Sequence, residues 1–279
     1  MAIVGLGLMG GSLGLALKQR SICREVVGLV RREAAIREAE AAGAVDQATT
    51  DPVVALQKAD IVVLATPVRT IIRQIEELGP YFSAYAIVTD MGSTKHTIIR
   101  AMESLPAGIQ PVGSHPMCGK EQAGMAAADP DLYQDAPWIL TPSSRSTTAA
   151  THTVRDLAEA VGAKTRVLAA DRHDKLVAAI SHLPYVLATT LTLTVLDVAQ
   201  DDPAVWDVVA SGFRDTSRVA ASEVSMMVDI LMTNQPAVEQ MLAIARVQID
   251  QFAQALADGD ESTLRTLMEQ AAQQRKRLY

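Results

Sequence analysis

The sequence has few cysteines and no excess of positive charge. Only Cys23 and Cys118 occur in 279 residues, and two cysteines so far apart do not form a disulfide framework. The 25 basic and 32 acidic side chains give a net charge of −7, which excludes long-range attraction to nucleic acid or to an anionic membrane. No charged segment precedes the first apolar strand, so no secretory signal is expected. We therefore expect a protein of the reducing cytoplasm that holds anionic ligands by local contacts.

One long segment lacks charge altogether. No Asp, Glu, Lys or Arg occurs from Leu176 to Leu196, a length sufficient to span a bilayer. The same segment contains several residues that suit lipid poorly, namely Ser181, His182, Pro184, Thr189, Thr190, Thr192 and Thr194. Such a composition favours a helix buried in a protein core or in a subunit interface. We predict a buried helix and no contact with a membrane.

A glycine-rich motif lies near the start of the chain. The apolar residues Ala2, Ile3 and Val4 lead into the sequence G-L-G-L-M-G and then into a helical segment. In a dinucleotide site the first glycine allows a tight turn, the second admits a pyrophosphate, and the third lets helix and strand pack. The free N–H groups of the helix would face the phosphates. The alternative is a glycine-rich turn without a ligand. The residues predicted to contact the cofactor are Gly5, Gly7, Leu8, Met9 and Gly10.

The end of the second predicted strand indicates which dinucleotide binds. NAD sites place an acidic residue about 20 positions after the glycines, whereas NADP sites use a nearby arginine. Here Val30 stands in place of the acid and is followed by Arg31 and Arg32, whose guanidinium groups suit phosphate oxygens. We predict that these three residues contact NADP and that NAD is the weaker cofactor. Alternatively, both arginines solvate the strand end, where Glu33 is free to pair with either.

The first part of the chain alternates apolar strands with amphipathic helices, which predicts an α/β fold with a doubly wound parallel sheet of the Rossmann-like kind. Strands are expected at Ala2–Gly5, Val26–Val30, Ile61–Ala65 and Ile87–Thr89, with shorter ones near Pro111–Gly113, Trp138–Thr141 and Arg166–Leu168. Ligands of such sheets lie beyond the carboxyl ends of the strands. We therefore expect Thr66, Pro67, Asp90, Gly92 and Ser93 to line the cofactor cleft.

After Asp171 the pattern becomes helical to the end of the chain. We predict a nucleotide-binding domain at 1–170 and an all-helical domain at 171–279. The helical part is rich in Ala, Leu, Val and Met and cannot easily bury all of them alone, so it is expected to form a homodimer.

Several polar residues are candidates for chemistry. His115 is expected in a loop after a strand, between residues that fix its backbone, and suits a general base for a hydroxyl proton. The Ser93 hydroxyl is placed to orient the imidazole or the substrate oxygen. A lone histidine in a loop is more often structural, and the other histidines, His96, His152 and His173, suit the role less well. Cys118 is expected to be a packing residue, and no metal site is expected.

Arg214 and Arg218 have the spacing of neighbours on one helix face. Two explanations remain about equal at this point. The pair captures a substrate carboxylate, or it consists of surface arginines that hold Asp215 and the helix end.

Four motifs together resemble the prephenate/arogenate dehydrogenase family of tyrosine biosynthesis. They are Gly5–Gly10, H-P-M-x-G from His115, S-H-L-P from Ser181, and G-F-R-D-T-S-R from Gly212 to Arg218. The resemblance covers essentially the whole chain. It implies an N-terminal nucleotide domain, a helical C-terminal domain that forms an intertwined dimer, and an active site between them.

Carried over by position, the resemblance implies that His115 is the base on the ring hydroxyl and Ser93 its hydrogen-bonding companion. Arg214 would bind a substrate carboxylate, and His182 would line the pocket. Glu121 resembles an acid that gates the entrance in some members.

The resemblance has one departure that bears on the substrate. Some members have S-H-L-P-H where this chain has Tyr185 after S-H-L-P; tyrosine donates a hydrogen bond but does not titrate near neutrality. Tyr185, the G-F-R-D-T-S-R motif, the NADP preference and the absence of an appended mutase or regulatory domain resemble the arogenate-using branch. We therefore expect arogenate, with prephenate as the alternative. A β-hydroxyacid dehydrogenase, for which Lys175 is a poor catalytic lysine, and a non-enzymatic NADP sensor are the remaining alternatives.

Overall fold

The computed structural model describes residues 1–120 and 122–278. Its centre is an eight-stranded sheet with the order β3-β2-β1-β4-β5-β6-β7-β8. The strands are β1 Ala2–Val4, β2 Val27–Leu29, β3 Gln47–Thr49, β4 Ile61–Leu64, β5 Ile87–Asp90, β6 Gln110–Pro116, β7 Pro137–Pro142 and β8 Lys164–Val167. All neighbouring strands are parallel except β6 and β7, which are antiparallel. The doubly wound α/β sheet is thus confirmed, with β7 and β8 running opposite to the other six strands.

Helices surround the sheet in the first part of the chain, and only helices follow β8 within the described residues. They are α1 Leu8–Gln19, α2 Glu33–Ala41, α3 Pro52–Leu56, α4 Val68–Leu78, α5 His96–Met102, α6 Thr148–Ala160, α7 Ala170–Val177, α8 Leu183–Asp201, α9 Ser211–Ser217, α10 Val224–Thr233, α11 Gln235–Asp258 and α12 Glu261–Leu278. A π-helical turn at Ala178–His182 joins α7 to α8. The change to an all-helical C-terminal region is therefore confirmed.

The sheet is covered by apolar side chains on both faces. In β1, Ile3 belongs to one core cluster, whereas its neighbours Ala2 and Val4 belong to the other. In β4, Val63 likewise belongs to the first cluster and Leu64 to the second. Successive residues of a strand point to opposite faces, so a strand buried on both sides needs an unbroken apolar run.

One strand was missed, and two expectations about strands were wrong. The short polar strand β3 was not predicted, because it has no apolar run to reveal it. β7 is antiparallel to its neighbour β6. His115 lies inside β6 rather than in a loop, because β6 continues past Gly113 and pairs Ser114 with Leu140 and His115 with Ile139.

The uncharged segment is a helix that is mostly exposed within the single chain. The helical run Ala170–Asp201 is long and apolar enough to cross a membrane by length and composition, and 22% of its most apolar window is buried. Ile180 is 68% exposed, Leu193 55% and Val198 51%. Burial in the core of one chain was therefore the wrong expectation, and burial in a subunit interface stays a prediction.

Contacts divide the chain into two compact units. The first comprises Met1–Asn234 and contains the whole sheet together with α1 to α10. The second comprises Gln235–Tyr279, in which α11 and α12 pack on each other. The division predicted at residues 170 and 171 follows the change from strands to helices and stays a prediction about functional domains.

Arg145, in the loop after β7, holds the chain that follows α5. Its guanidinium donates to the carbonyl oxygens of Glu103 at 2.9 Å, Leu105 at 2.6 Å and Pro106 at 2.9 Å. Backbone carbonyls beyond a helix end lack helical partners. The Arg145 side chain therefore satisfies several of these carbonyl oxygens and links the loop after β7 to the segment that follows α5.

We predict that Arg145→Met lowers the free energy of unfolding by about 1 to 3 kcal/mol, the usual range for loss of charge-assisted hydrogen bonds. Urea unfolding followed by circular dichroism measures the change. Arg24→Met, at an exposed position, is the matched control. Equal stability of the two variants would contradict the role given to Arg145.

Candidate active site

The three glycines of the motif have different local geometries. Gly5 has φ of +91°, a left-handed conformation that side chains other than glycine adopt with strain. A Cβ at Gly10 would lie 2.0 Å from the carbonyl oxygen of Gly5, so only glycine lets α1 approach the turn. A Cβ at Gly7 would meet no atom within 4 Å. The space beside Gly7 is open, as the approach of a pyrophosphate requires.

A cleft of about 270 Å³ opens beside this turn. Its lining includes Gly5, Gly7, Val30, Arg31, Arg32 and Glu38. The first turn of α1, which contains Leu8 and Met9, has no side-chain cap, so its N–H groups remain available to phosphates. The residues present therefore fit a dinucleotide.

The two arginines of the cleft are both exposed. Glu33, which was expected as their alternative partner, instead accepts a hydrogen bond from Thr50 Oγ1 at 3.1 Å. Within the described residues, Glu33 forms no ion pair with Arg31 or Arg32. Glu38, further along α2, lines the same cleft.

The other residues expected along the cleft differ in their accessibility. Thr66 lies against the glycine motif, because its methyl group would be 2.6 Å from a Cβ at Gly5. Pro67 follows as the N-cap of α4. Asp90 is 0% exposed and Gly92 is buried beside it. The Asp90 carboxylate is taken up by an internal network, and the expectation that Asp90 lines the cofactor cleft stays a prediction.

In that network Asp90 forms a buried ion pair with Lys95, whose side chain is also fully buried. Asp90 Oδ1 accepts from the Ser114 N–H at 3.0 Å, and Oδ2 accepts from the Gly92 N–H at 2.8 Å. Lys95 Nζ also donates to the Ser114 carbonyl at 2.6 Å. Burial lowers the pKa of Lys95, and Asp90 opposes this effect. The ion pair fixes the backbone directly before His115.

His115 is held by a chain of three side chains. Its Nδ1 lies 2.8 Å from His173 Nε2, and the two rings meet edge to face with centroids 5.1 Å apart. His173 Nδ1 lies 2.8 Å from Asp174 Oδ1. The Asp174 carboxylate also accepts from the backbone N–H of Lys95 at 2.7 Å and of His96 at 2.8 Å. Nε2 is therefore the nitrogen of His115 that remains for a substrate.

Burial and nearby charges keep the His115 imidazole neutral. Desolvation is the main cause that lowers the pKa of His115 well below its usual value, and His173, Lys95 and His182 add to the effect. A neutral imidazole has a lone pair for a proton. The His115 ring is therefore uncharged at neutral pH and has a free lone pair on one nitrogen.

His182 is fixed at the end of the π-helical turn. Its Nδ1 lies 3.2 Å from Asn234 Nδ2, which also donates to the Asp174 carbonyl at 2.8 Å. Because Asn234 Nδ2 is a donor, His182 accepts at Nδ1 and carries its proton on Nε2. Burial lowers the pKa of His182 to about 4. His182 is therefore a neutral hydrogen-bond donor at neutral pH.

The remaining predicted residues are not brought into this network. Among the described residues, no hydrogen bond joins Ser93 to His115, whose partner is His173. Arg214 and Arg218 are exposed on and beside α9, which packs on α8. Tyr185 is half-buried and packs against the cluster that contains Met227. Glu121 lies outside the described residues. Both cysteines are free thiols, and burial raises the pKa of Cys118 to about 11.

Sequence reasoning missed three members of the site. His173 was ranked below His115, and Asp174 and Asn234 were not considered. No local pattern marks them, because they meet His115 and His182 only through contacts between elements far apart in the chain. The one available signal was a His-Asp pair inside a helix. Such a pair is common on helix surfaces.

Comparison with known proteins agrees with the geometry. The model for the nucleotide-binding domain of prephenate dehydrogenase matches residues 13–167, and the model for the dimerization domain of prephenate dehydrogenase matches residues 169–270. The cyclohexadienyl dehydrogenase of Zymomonas mobilis is 34% identical to this chain, and the match covers 93% of this chain and 90% of that protein.

Two solved structures are similar over the full length. The arogenate dehydrogenase of Synechocystis is 31% identical with a TM-score of 0.85, and the match covers 100% of this chain and 99% of that one. The A. aeolicus prephenate dehydrogenase, solved with hydroxyphenyl propionate and NAD+, is 26% identical with a TM-score of 0.91 and coverage of 99% and 96%. The chain belongs to the prephenate dehydrogenase family and is an NAD(P)-dependent oxidoreductase of tyrosine biosynthesis.

Proposed function

We propose that this protein catalyses the NADP-dependent oxidative decarboxylation of arogenate to tyrosine. The observation that carries the proposal is the buried His115, whose Nδ1 is taken by His173 and whose Nε2 is left free. His115 lies near the carboxyl end of β6, which is parallel to β5. It therefore belongs to the same sheet edge as the glycine turn, where ligands of such sheets bind.

The substrate is a cyclohexadienol with a carboxylate on its quaternary carbon. When bound, the nicotinamide supplies the acceptor for the hydride of the carbinol carbon. His115 accepts the hydroxyl proton at Nε2, carbon dioxide leaves, and the ring becomes aromatic. Aromatisation makes the reaction effectively irreversible, so the protein has to supply alignment and a base.

The proposal also assigns roles to the residues expected to bind the substrate, according to the chemistry of each side chain. Arg214 and Arg218 bind the substrate carboxylates, and His182 donates a hydrogen bond from Nε2. Ser93 contacts the reacting hydroxyl, Tyr185 borders the pocket, and Glu121 takes the role of the acid that gates the entrance in some family members. The family resemblance supports these roles.

We further propose that the protein is a cytoplasmic homodimer. The exposed apolar side chains of the helices support the dimer, with Leu193 at 55% and Ile244 at 51% exposure. One of the matching family models is that of a dimerization domain.

Prephenate is the second candidate substrate, which would give 4-hydroxyphenylpyruvate. The name of the A. aeolicus relative favours it, whereas the name of the Synechocystis relative favours arogenate. Arogenate has an amino acid side chain where prephenate has a keto acid. Tyr185, in the place of a titratable histidine, supports the arogenate proposal.

We predict that the purified protein reduces NADP with arogenate at a kcat/KM at least about tenfold above every other pairing of NADP or NAD with arogenate or prephenate. Absorbance of the reduced cofactor measures the rate. Higher kcat/KM with prephenate overturns the substrate proposal, and no reduction in any pairing overturns the proposed reaction.

We predict that His115→Asn lowers kcat by about 10²-fold or more, as expected for loss of a general base. The KM for substrate should change little, because the imidazole acts mainly in the transition state. His152→Asn, on the exposed side of α6, is the matched control. An unchanged kcat with a raised KM would show that His115 binds substrate and is not the base.

We predict that Arg31→Ala raises the dissociation constant for NADP by about 10- to 100-fold, which corresponds to loss of one charge-assisted contact to a phosphate. The dissociation constant for NAD should remain within about twofold, because NAD lacks the 2′-phosphate. Isothermal titration calorimetry with both cofactors measures the two constants, and Arg24→Ala is the control. Equal effects on NADP and NAD would remove the basis for the NADP preference.

A further inference from the structure

The hydrogen bonds around His173 define the protonation of His115. The Asp174 carboxylate only accepts, so His173 Nδ1 donates to it at 2.8 Å. A neutral His173 then has a lone pair on Nε2, which faces His115 Nδ1 at 2.8 Å. His115 donates from Nδ1 and keeps Nε2 unprotonated. The chain of hydrogen bonds thus selects the tautomer that a base acting through Nε2 requires.

The same chain of hydrogen bonds affects where a positive charge can be held in this buried site. His115 is 9% exposed and His173 is 1% exposed, so a positive charge on either ring loses solvation. However, a positive charge on His115 has different neighbours from a positive charge on His173. A cation on His115 faces the ammonium of Lys95, whereas a cation on His173 pairs directly with the carboxylate of Asp174. A positive charge on His173 thus has a carboxylate partner in direct contact, which a charge on His115 lacks.

We propose that His173 and Asp174 form a proton relay behind His115, in which His173 fixes the His115 tautomer and receives its Nδ1 proton during turnover. This proposal rests on the proposed function, because it requires His115 to be the base. It assigns the orientation of His115 to His173 rather than to Ser93. His173 and Asp174 act through His115 and are positioning residues.

The protons of the relay balance. The substrate O–H bond breaks and its proton bonds to His115 Nε2, while the His115 Nδ1–H bond breaks and that proton bonds to His173 Nε2. His115 ends as the neutral Nε2–H tautomer, and His173 ends as an imidazolium paired with Asp174. The hydride goes to the nicotinamide cofactor of the proposed reaction. Return of the proton to solvent restores the starting tautomers.

Asp174 is built into the fold as a fixed anion. The backbone N–H groups of Lys95 and His96 donate to its two oxygens, and Asn234 donates to its carbonyl. The carboxylate therefore keeps its position and orientation whether or not His173 is charged. Such preorganisation stabilises charge without rearrangement at the moment of reaction.

Several charged and titratable groups surround the relay. Lys95, with Asp90 as its buried partner, and the neutral His182 face His115, and Asp174 faces both His173 and His182. At low pH one proton enters the pair of histidines and produces the Nε2–H tautomer of His115, which is inactive. The Asp174 charge stabilises that protonated state. Removing this charge therefore moves the acidic limb of the rate profile to lower pH.

The first test does not depend on activity. ¹⁵N NMR of histidine-labelled protein at neutral pH, with the His115 signals assigned through His115→Asn, reports which ring nitrogen carries the proton. We expect Nδ1 of His115 and Nδ1 of His173 to be protonated. A proton on Nε2 of His115 at neutral pH would overturn the relay.

The second test measures rates against pH. His173→Gln keeps an acceptor for His115 but cannot take up a proton, and Asp174→Asn removes the charge. We expect each to lower kcat by about 10-fold or more, and we expect Asp174→Asn to move the acidic limb of kcat/KM down by about one pH unit or more. His152→Gln and Asp156→Asn, at exposed positions on α6, are the matched controls.

The outcomes separate the two proposals. Unchanged NADP affinity and circular dichroism verify that the variants are folded. A lower kcat without a shift of the acidic limb in Asp174→Asn would show a structural role and overturn the relay, as would wild-type kinetics of His173→Gln. If His115→Asn itself remains fully active, the assignment of the base in the proposed function fails instead.

Discussion

The candidate site depends on the hydrogen bonds that the Asp174 carboxylate accepts. It accepts hydrogen bonds from the N–H groups of Lys95 and His96 and from the ring of His173. These bonds join the start of α5 to α7. Because His173 in turn contacts His115 on β6, a single buried anion connects the sheet, a helix that follows β5, and the first helix after β8.

A buried carboxylate is costly unless its hydrogen bonds are satisfied. At Asp174 backbone N–H groups provide that satisfaction, and at Asp90 the partners are Lys95, Gly92 and Ser114. The two buried anions lie on either side of Lys95, whose backbone binds one and whose side chain binds the other. The segment between β5 and α5 is thereby fixed at both ends, and it holds β6 in the position that places His115.

The fold was predictable where burial leaves a mark on the local sequence. The strands β1, β4 and β5 are buried on both faces, so their apolar runs were visible, and the glycines at 5, 7 and 10 have steric reasons that act within one turn. β3 was not visible, because Gln47–Thr49 gains its structure from parallel pairing with β2. The extension of β6 through His115 likewise arises from pairing with β7. Neither partner can be identified from the strand's own residues.

The sequence by itself determined the dinucleotide motif, the sheet with apolar side chains on both faces and the helical second part, since these follow from local backbone freedom and apolar periodicity. Only the tertiary structure decided that His115 is bound to His173, that Asp90 is buried with Lys95, and that the uncharged helix is exposed within one chain. Those facts depend on which distant segments meet. Hydrogen bonds and ion pairs between segments 58 residues apart, as between His115 and His173, leave no periodic trace in the order of amino acids.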